Sequence, residues 1–209
     1  VQNLLVNLRN HVAKRSPDRE IQIQNYRAAV METRAQVEVL SQRIQGQVPD
    51  DVQAIFTLYH HLLDANSLGR EVEQKITAGW DAPTSLKMVV ETYIAQFQAM
   101  SDAYMRERAV DVEDLSNRIL ANLLNLDTSR LTRAELPDKC ILVAEELTAT
   151  MLAEFPKGKL CGLISIRGSS NAHAAIMARA LGVPAVMGVT GVPLSLLNDK
   201  EILLDGYTG

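Results

Sequence analysis

Residue patterning predicts an α/β subdomain into which an all-α helical bundle is inserted. Apolar residues recur at helical spacing through residues 16–126, which is the pattern of helices packed into a bundle. From residue 127 to residue 209 short apolar runs alternate with helical candidates, which indicates an α/β unit. Residues 1–15 add a candidate strand at Val1 to Leu8, and this strand would make the α/β subdomain discontinuous.

The bundle begins with a long helix. Ser16-Pro17-Asp18 resembles a helix start, and one apolar face continues to about Gln45. Gly46 to Asp50 ends this helix. A second helix then carries an apolar stripe at helical spacing, formed by Val52, Ile55, Phe56, Tyr59, Leu62 and Leu63.

Two breaks divide the rest of the bundle. Ser67 to Gly69 predicts a break or bend after the second helix, and a shorter helix follows it. Gly79 to Pro83 predicts a turn, with Thr84 or Ser85 as the N-cap of the next helix. That helix is predicted to run on through residues 110–124. It is expected to bury Tyr93, Ile94, Phe97, Met100 and Met105.

The α/β part is predicted from four apolar runs separated by two helical candidates. The helical candidates are Leu147 to Phe155 and His173 to Leu181. The runs that predict strands are Cys140 to Ala144, Leu160 to Ile166, Pro184 to Met187, and Glu201 to Asp205.

Composition excludes several classes of partner. The chain has 209 residues, a net charge of −4 and mixed acidic and basic residues, whereas nucleic-acid binding needs a basic surface. The sequence shows no apolar segment long enough to span a bilayer and no signal peptide, so we expect a cytoplasmic protein. Because it begins with Val and stops abruptly, we expect it to be a fragment. Cys140 and Cys161 each lie in an apolar run and are expected to be buried thiols in a reducing compartment.

His173 is the candidate reactive residue. It lies between a Gly/Ser-rich turn, Gly168 to Asn171, and a helix of small residues. A helix start offers free backbone N–H groups and a partial positive charge to a phosphate, and the turn is expected to keep the ring exposed. We therefore interpret His173 as a phosphoryl-carrying histidine. The alternative, left open by residue type alone, is a helix cap or an ordinary surface histidine.

The surroundings of His173 resemble a known family. Gly162 to Ile166, the turn, the helix and Leu181 to Gly188 together resemble the swivelling phosphohistidine domain of phosphoenolpyruvate-utilising enzymes. Three positions depart from the pattern of that family: Ser169, Asn171 and Ala172 stand where it has Gly, Thr and Ser.

The helical part narrows the resemblance. Asp102 to Asp114, and Ala54 to Phe56 leading to Leu62-Leu63, resemble the N-terminal region of enzyme I of the phosphotransferase system. The segment before His173 and the Tyr59-x-x-Leu62-Leu63 spacing are most similar to the nitrogen-related paralogue.

This resemblance implies a phosphoryl relay from phosphoenolpyruvate, through Nε2 of His173, to a small histidine carrier protein of the HPr or NPr type. It implies phosphate support by Gly168, Ser169, Ser170, Asn171 and Tyr59. It also implies carrier binding by Leu62, Leu63, Asn66, Leu68 and Arg108. His60 and His61 lie off the apolar stripe and are expected to be solvated surface residues.

The resemblance also sets expectations about cofactors. The phosphoenolpyruvate site and its Mg²⁺ ligands lie on a separate C-terminal barrel in the family, so we expect no cofactor or metal in this chain. We likewise expect a monomer that is not phosphorylated by phosphoenolpyruvate alone. The competing interpretations are a swivelling domain from a pyruvate phosphate dikinase or phosphoenolpyruvate synthase, and a non-catalytic helical adaptor.

Overall fold

The computed structural model describes residues 7–126, 136–156, 158–168 and 172–208. The chain divides into two compact units. One unit contains residues 40–53 and the described residues from 136 onward, and the other contains the described residues of 7–39 and 54–126. The boundary predicted at residues 126 and 127 adjoins residues 127–135, which lie outside the described part.

Five helices account for most of the first 126 residues. A 3₁₀ turn at Leu8–Asn10 precedes them, and a five-residue π-type turn at Ala65–Gly69 separates the second from the third. The helices are α1 (Arg19–Ile44), α2 (Asp50–Leu62), α3 (Arg70–Thr77), α4 (Ala82–Gln98) and α5 (Ala103–Leu123). The predicted bend at Ser67 is present, because this residue has non-helical backbone angles (φ −96°, ψ −119°).

The core of the helical unit is mainly aliphatic and contains the aromatic rings of Tyr26, Phe56 and Tyr59. The Phe56 and Tyr59 rings meet edge to face, with centroids 5.7 Å apart. The largest fully buried side chains of this unit are Val37, Ile55, Phe56, Tyr59, Leu68, Ile76, Leu86, Leu115, Ile119 and Leu120.

The prediction of a single long helix after residue 84 is wrong, because this segment forms two helices. These helices, α4 and α5, are separated at residues 99–102, because Asp102 caps α5 by accepting from the backbone N–H groups of Tyr104 and Met105. Met100, predicted to be buried, lies in this break and is 38% exposed. The N-cap of α4 is Asp81, not Thr84 or Ser85, since the Asp81 carboxylate accepts from the Thr84 N–H at 2.8 Å.

The other unit contains a three-stranded parallel sheet. Its strands are β1 (Cys140–Ala144), β2 (Leu160–Ser165) and β3 (Ala185–Met187), and β2 is the central strand. Helix α6 (Ala149–Glu154) connects β1 to β2, and α7 (His173–Ala180) connects β2 to β3. Each connection is therefore the strand–helix–strand crossover that parallel strands require.

The strand predicted at residues 201–205 is wrong, and most of the candidate strand at residues 1–8 lies outside the described residues. No strand is assigned at residues 201–205, although Leu204 lies against the sheet: a Cβ added to Gly162 would come 2.6 Å from Leu204 Cδ2. Residues 1–6 of the candidate N-terminal strand lie outside the described part, and Leu8 belongs to the 3₁₀ turn.

The prediction of two buried thiols is also wrong. Cys161 is exposed and Cys140 is half-buried. Both residues lie at the amino ends of their strands, where β1 and β2 change register and the sheet is less covered than at its centre. None of the helices in the described ranges is both long and apolar enough to cross a membrane.

Candidate functional site

His173 lies beyond the carboxyl end of the central strand. Residues 166–172 connect β2 to α7, and His173 is the first residue of that helix. The carboxyl ends of parallel strands are where α/β folds place their ligand-binding loops. The fold therefore brings the predicted phosphoryl acceptor to the edge of the sheet that is best suited to a reactive residue.

The start of this loop is held in place by β1 and the residues that follow it. The buried hydroxyl of Ser165 donates to the carbonyl oxygen of Arg167 at 2.5 Å, and its oxygen lies 3.3 Å from the carbonyl oxygen of Glu145. The Arg167 N–H donates to the same Glu145 carbonyl at 2.8 Å, and its guanidinium contacts the Glu145 carboxylate. These bonds fix the direction in which the chain leaves the sheet.

Gly168 continues the loop with φ +107°, a conformation that side chains with a Cβ rarely adopt. A Cβ at this position would also lie 3.4 Å from the Met187 sulfur. The backbone of the turn therefore requires glycine here. Ser169, Ser170 and Asn171, which are predicted to hold phosphate, lie outside the described residues.

The start of α7 is suited to an anion. Its N-cap, Ala172, has no side chain that can accept from the first-turn N–H groups, although its carbonyl accepts from Ala175 and Ile176 at 2.9 and 3.1 Å. A helix end without a capping side chain leaves a place for an external acceptor, and the helix dipole favours a negative one.

The expectation that the His173 ring is exposed is wrong. The residue is only 5% exposed. Its small neighbours Ala174 and Ala175 are buried as well, because α7 packs against α6 and β3. The His173 side chain is therefore shielded from solvent.

Helix α6 adds polar groups that sequence reasoning did not single out. Thr148 caps α6 by accepting from the Met151 N–H, and its hydroxyl lies 3.4 Å from that of Thr150. Thr150 and Glu154 are buried on a helix that packs against α7. In a sequence, the Thr148-x-Thr150 pattern ordinarily indicates a helix cap. The packing of α6 against α7 is what makes Thr150 and Glu154 candidate polar groups of the site.

Tyr59 lies at the centre of the helical unit. Its hydroxyl donates to Asp114 Oδ2 at 2.9 Å, and the side chain is fully buried. Burial first, and then the neighbouring carboxylates of Asp114 and Asp111, hold the pKa of Tyr59 well above its usual value. The hydroxyl therefore stays protonated and remains a donor to Asp114. Phosphate support by Tyr59 stays a prediction, and it would require this bond to be exchanged.

The predicted carrier-binding residues differ in accessibility. Asn66 is exposed at the π-type turn, whereas Leu62, Leu63 and Leu68 are buried. Arg108 is buried as well. The three leucines therefore belong to the core beneath the surface. Of the predicted carrier-binding residues, Asn66 is the one that is exposed to a partner.

The Arg108 guanidinium is enclosed by side chains of its own helix. It lies 4.3 Å from the Tyr104 ring and 3.2 Å from the Asp111 carboxylate. Its Nε and Nη2 atoms are buried and have no hydrogen-bond partner. Stacking on the ring and pairing with the carboxylate offset part of the cost of burying this cation, and its two unpartnered atoms add to that cost.

The two adjacent histidines of α2 are at least partly accessible. His61 is exposed, and His60 lies 3.1 Å from the Glu38 carboxylate with part of its ring accessible. Within the described ranges no group of three or more His, Cys, Asp or Glu side chains is arranged to hold a metal ion.

Two family models match the chain. The model described as "PEP-utilising enzyme, N-terminal" matches residues 3–108, and "PEP-utilising enzyme, mobile domain" matches residues 136–209. The second match contains His173 and the whole three-stranded sheet.

Curated relatives are similar over most of this chain. A protein of Escherichia coli named phosphoenolpyruvate-dependent phosphotransferase system is 41% identical over 169 residues, which are 81% of this chain and 22% of that protein. The similarly named protein of Salmonella typhimurium is 38% identical over 92% of this chain and 25% of its own length. The chain therefore spans about a quarter of the length of these relatives.

Solved structures share the fold. A structure titled "N-terminal domain of Enzyme 1 - Nitrogen" is 35% identical, covers 97% of this chain and 82% of its own, and superimposes with a TM-score of 0.68. A solution structure of enzyme I is 28% identical, covers 85% of this chain and 72% of its own, and has a TM-score of 0.69.

Proposed function

The chain belongs to the family of phosphoenolpyruvate-utilising enzymes, and we propose that it relays a phosphoryl group from phosphoenolpyruvate to a small histidine carrier protein through His173. The observation that carries this proposal is the position of His173, at an anion-suited helix start beyond the central strand, within the matched mobile domain. The resemblance to enzyme I of the phosphotransferase system is confirmed by the related proteins and structures.

In the proposed reaction an imidazole nitrogen of His173 attacks phosphorus, and the bond from phosphorus to the leaving group breaks. The leaving group is the enolate of pyruvate in the forward direction, or the carrier histidine in reverse. Because phosphoryl transfer passes through a loose transition state, catalysis depends on positioning and charge stabilisation. The N–H groups at the start of α7 would supply that stabilisation, and Gly168 would keep the turn in the required conformation.

Carrier docking is proposed on the exposed surface around the π-type turn. Asn66 is accessible there, and the buried leucines below it would keep that surface rigid. The carrier is proposed to be of the HPr or NPr type, and the chain to be a cytoplasmic monomer. Asp64 is the acidic residue of the segment Asp64-Ala65-Asn66-Ser67 at this surface, which favours a carrier with a weakly basic face.

A docking test should change an exposed residue. Arg108→Glu would bury a second carboxylate beside Asp111 and threaten the fold itself. Asn66→Arg leaves the core intact, and calorimetric titration with a candidate carrier should show weaker binding for this variant. Gln98→Arg, an exposed change at the end of α4, is the matched control and should bind as the unmodified chain does.

Transfer through His173 is tested directly with a radiolabelled phosphocarrier. The unmodified chain should become labelled, and the label should be acid-labile, as expected for a phosphohistidine. His173→Ala should lose labelling while His61→Ala, which changes an exposed histidine, should retain it. Equal and negligible labelling of all three would instead favour the helical adaptor.

The same assay addresses phosphoenolpyruvate. Relatives about four times longer carry further sequence, and we propose that phosphoenolpyruvate and Mg²⁺ bind to such a region. The 209-residue chain incubated with phosphoenolpyruvate and Mg²⁺ alone should stay unlabelled. Labelling under those conditions would contradict the proposed division of labour.

A further inference from the structure

The two cysteines of the chain lie side by side at the start of neighbouring strands. Cys140 is the first residue of β1 and Cys161 is the second residue of β2. From Ile141 onward each β1 residue pairs with the β2 residue 21 positions later, beginning with Ile141 opposite Gly162. Continued back by one residue, this register would place Cys140 opposite Cys161. Instead the register slips there, so that Cys140 pairs with Leu160 and Cys161 is the extra residue.

The irregular register decides which faces of the sheet are open to the two thiols. A Cβ added to Gly162 would lie 3.3 Å from Ile141 Cγ1, so these two residues share one face. Alternation along β1 turns Cys140 to the other face, whereas Cys161 is the extra residue of the slip, where strict alternation does not hold and the side chain is not committed to one face. The Cys140 thiol donates to the carbonyl of Lys159, the residue before β2, at 3.2 Å, so it is directed toward the start of the neighbouring strand and must give up this bond to reach the Cys161 sulfur.

Strand spacing makes a bond between the two sulfurs feasible. Neighbouring strands lie about 4.8 Å apart, and a disulfide needs a Cα–Cα separation of about 4.4–6.8 Å. The two thiols also interact electrostatically: burial raises the pKa of Cys140, and the nearby Cys161 raises it further. The irregular register leaves this end of the ladder less constrained than the rest.

We propose that Cys140 and Cys161 form a reversible disulfide that closes when the protein meets an oxidised low-molecular-weight disulfide of the glutathione type. The exposed Cys161 thiolate attacks one sulfur of that disulfide, forming a mixed disulfide and releasing one small thiol. The Cys140 thiolate then attacks the Cys161 sulfur and releases the second small thiol. The two protein thiols are oxidised, the external disulfide is reduced to two thiols, and the protons of the protein thiols pass through water to the released thiolates.

The accessibility of the two thiols sets the order of these steps. Cys161 is exposed and meets the oxidant first, whereas Cys140 is half-buried and has a raised pKa, so it acts second and from within the protein. A disulfide of this kind in a reducing compartment is transient and responds to redox conditions. This modification site is independent of the proposed phosphoryl transfer.

Peptide mapping of the folded chain tests the proposal. The chain is equilibrated in glutathione buffers of increasing oxidised fraction, free thiols are blocked, and trypsin is added. Cleavage at lysine and arginine separates Cys140–Lys157 from Leu160–Arg167, so each thiol is on its own peptide. These two peptides should appear disulfide-linked, in monomeric protein, and should separate after reduction with dithiothreitol.

Two variants and an unfolded sample serve as controls. Cys140→Ser should stop at a glutathione adduct on Cys161, and Cys161→Ser should react more slowly than Cys140→Ser. Chain unfolded in guanidinium should give several-fold less of the linked pair at the same buffer ratio, because the fold no longer holds the thiols together. The proposal is overturned if the unmodified chain yields only adducts, only free thiols or only intermolecular disulfides, or if unfolding leaves the linked fraction unchanged.

Discussion

The hydroxyl of Tyr59 donates a hydrogen bond to the Asp114 carboxylate within the helical unit. Tyr59→Phe removes the donor to Asp114 without changing the volume of the core, so we expect a loss of about 1–3 kcal/mol in the free energy of unfolding. Denaturant titration measures this loss. Tyr207→Phe, which changes a fully exposed tyrosine, should cost nothing measurable.

The same variant tests whether Tyr59 supports the phosphate. If Tyr59 acts only in the core, folded Tyr59→Phe should accept label from the phosphocarrier as quickly as the unmodified chain. A slower rate at unchanged folded fraction would support the predicted second role.

Gly168 is the residue of the loop whose backbone most clearly requires glycine. With φ +107° and the Met187 sulfur 3.4 Å from a would-be Cβ, Gly168→Ala should cost about 1–2 kcal/mol of stability. Gly69→Ala is the matched control, because Gly69 has helical backbone angles and the nearest atom to its would-be Cβ is 3.6 Å away. Thermal unfolding should separate the two variants, and an equal change in both would contradict the assigned strain.

At the residue scale the sequence identified His173 but not its burial. The motif around His173 consists of residues that are adjacent in the sequence, so it can be recognised without knowledge of the fold. Burial depends on which helix packs against α7, and that helix, α6, is connected to it only through the central strand. For the same reason the commitment of Tyr59 to Asp114, 55 positions away, was not predicted.

At the element scale, apolar periodicity predicted most helices to within a few residues. The prediction failed in the segment after Ala82. Side chains such as Ile94 and Phe97 keep helical spacing up to residues 99–102, so the spacing gave no sign that the helix ends there. Apolar periodicity does not reveal a cap, so it did not predict that α4 ends at Gln98 and that Asp102 caps a new helix. The run at 201–205 has strand-like composition, but composition does not supply a neighbouring strand to pair with.

The cap of α4 has a measurable energetic effect. Asp81 accepts from the Thr84 N–H, and its removal leaves that donor without its capping partner at the start of a partly buried helix. Asp81→Ala should therefore lower the free energy of unfolding by about 1 kcal/mol. Asp138→Ala, which removes an exposed carboxylate 4.0 Å from Lys159, should change it by less than half as much in the same denaturant titration.

At the scale of the whole molecule, α1 and α2 form a helical hairpin, and its tip, residues 40–53, belongs to the unit that contains the sheet. Residues 40–53 cluster with the α/β unit, although the rest of α1 and α2 belongs to the helical unit. Within the α/β unit Leu40, Ile44 and Val52 are buried, and the Arg43 guanidinium donates to the carbonyl of Glu154 at 3.5 Å. Sequence patterning assigned this tip to the bundle alone, because a helical stripe looks the same whichever unit covers it.

The hairpin tip should therefore control the stability of the sheet. Ile44→Ala removes a buried side chain from the α/β unit and should cost about 2–5 kcal/mol. Hydrogen exchange followed by mass spectrometry should show faster exchange in residues 140–187 than in residues 70–98 of the same variant. Val39→Ala, on the same helix but 55% exposed, should alter neither segment. Faster exchange confined to the helical segment would show instead that the tip stabilises only the bundle.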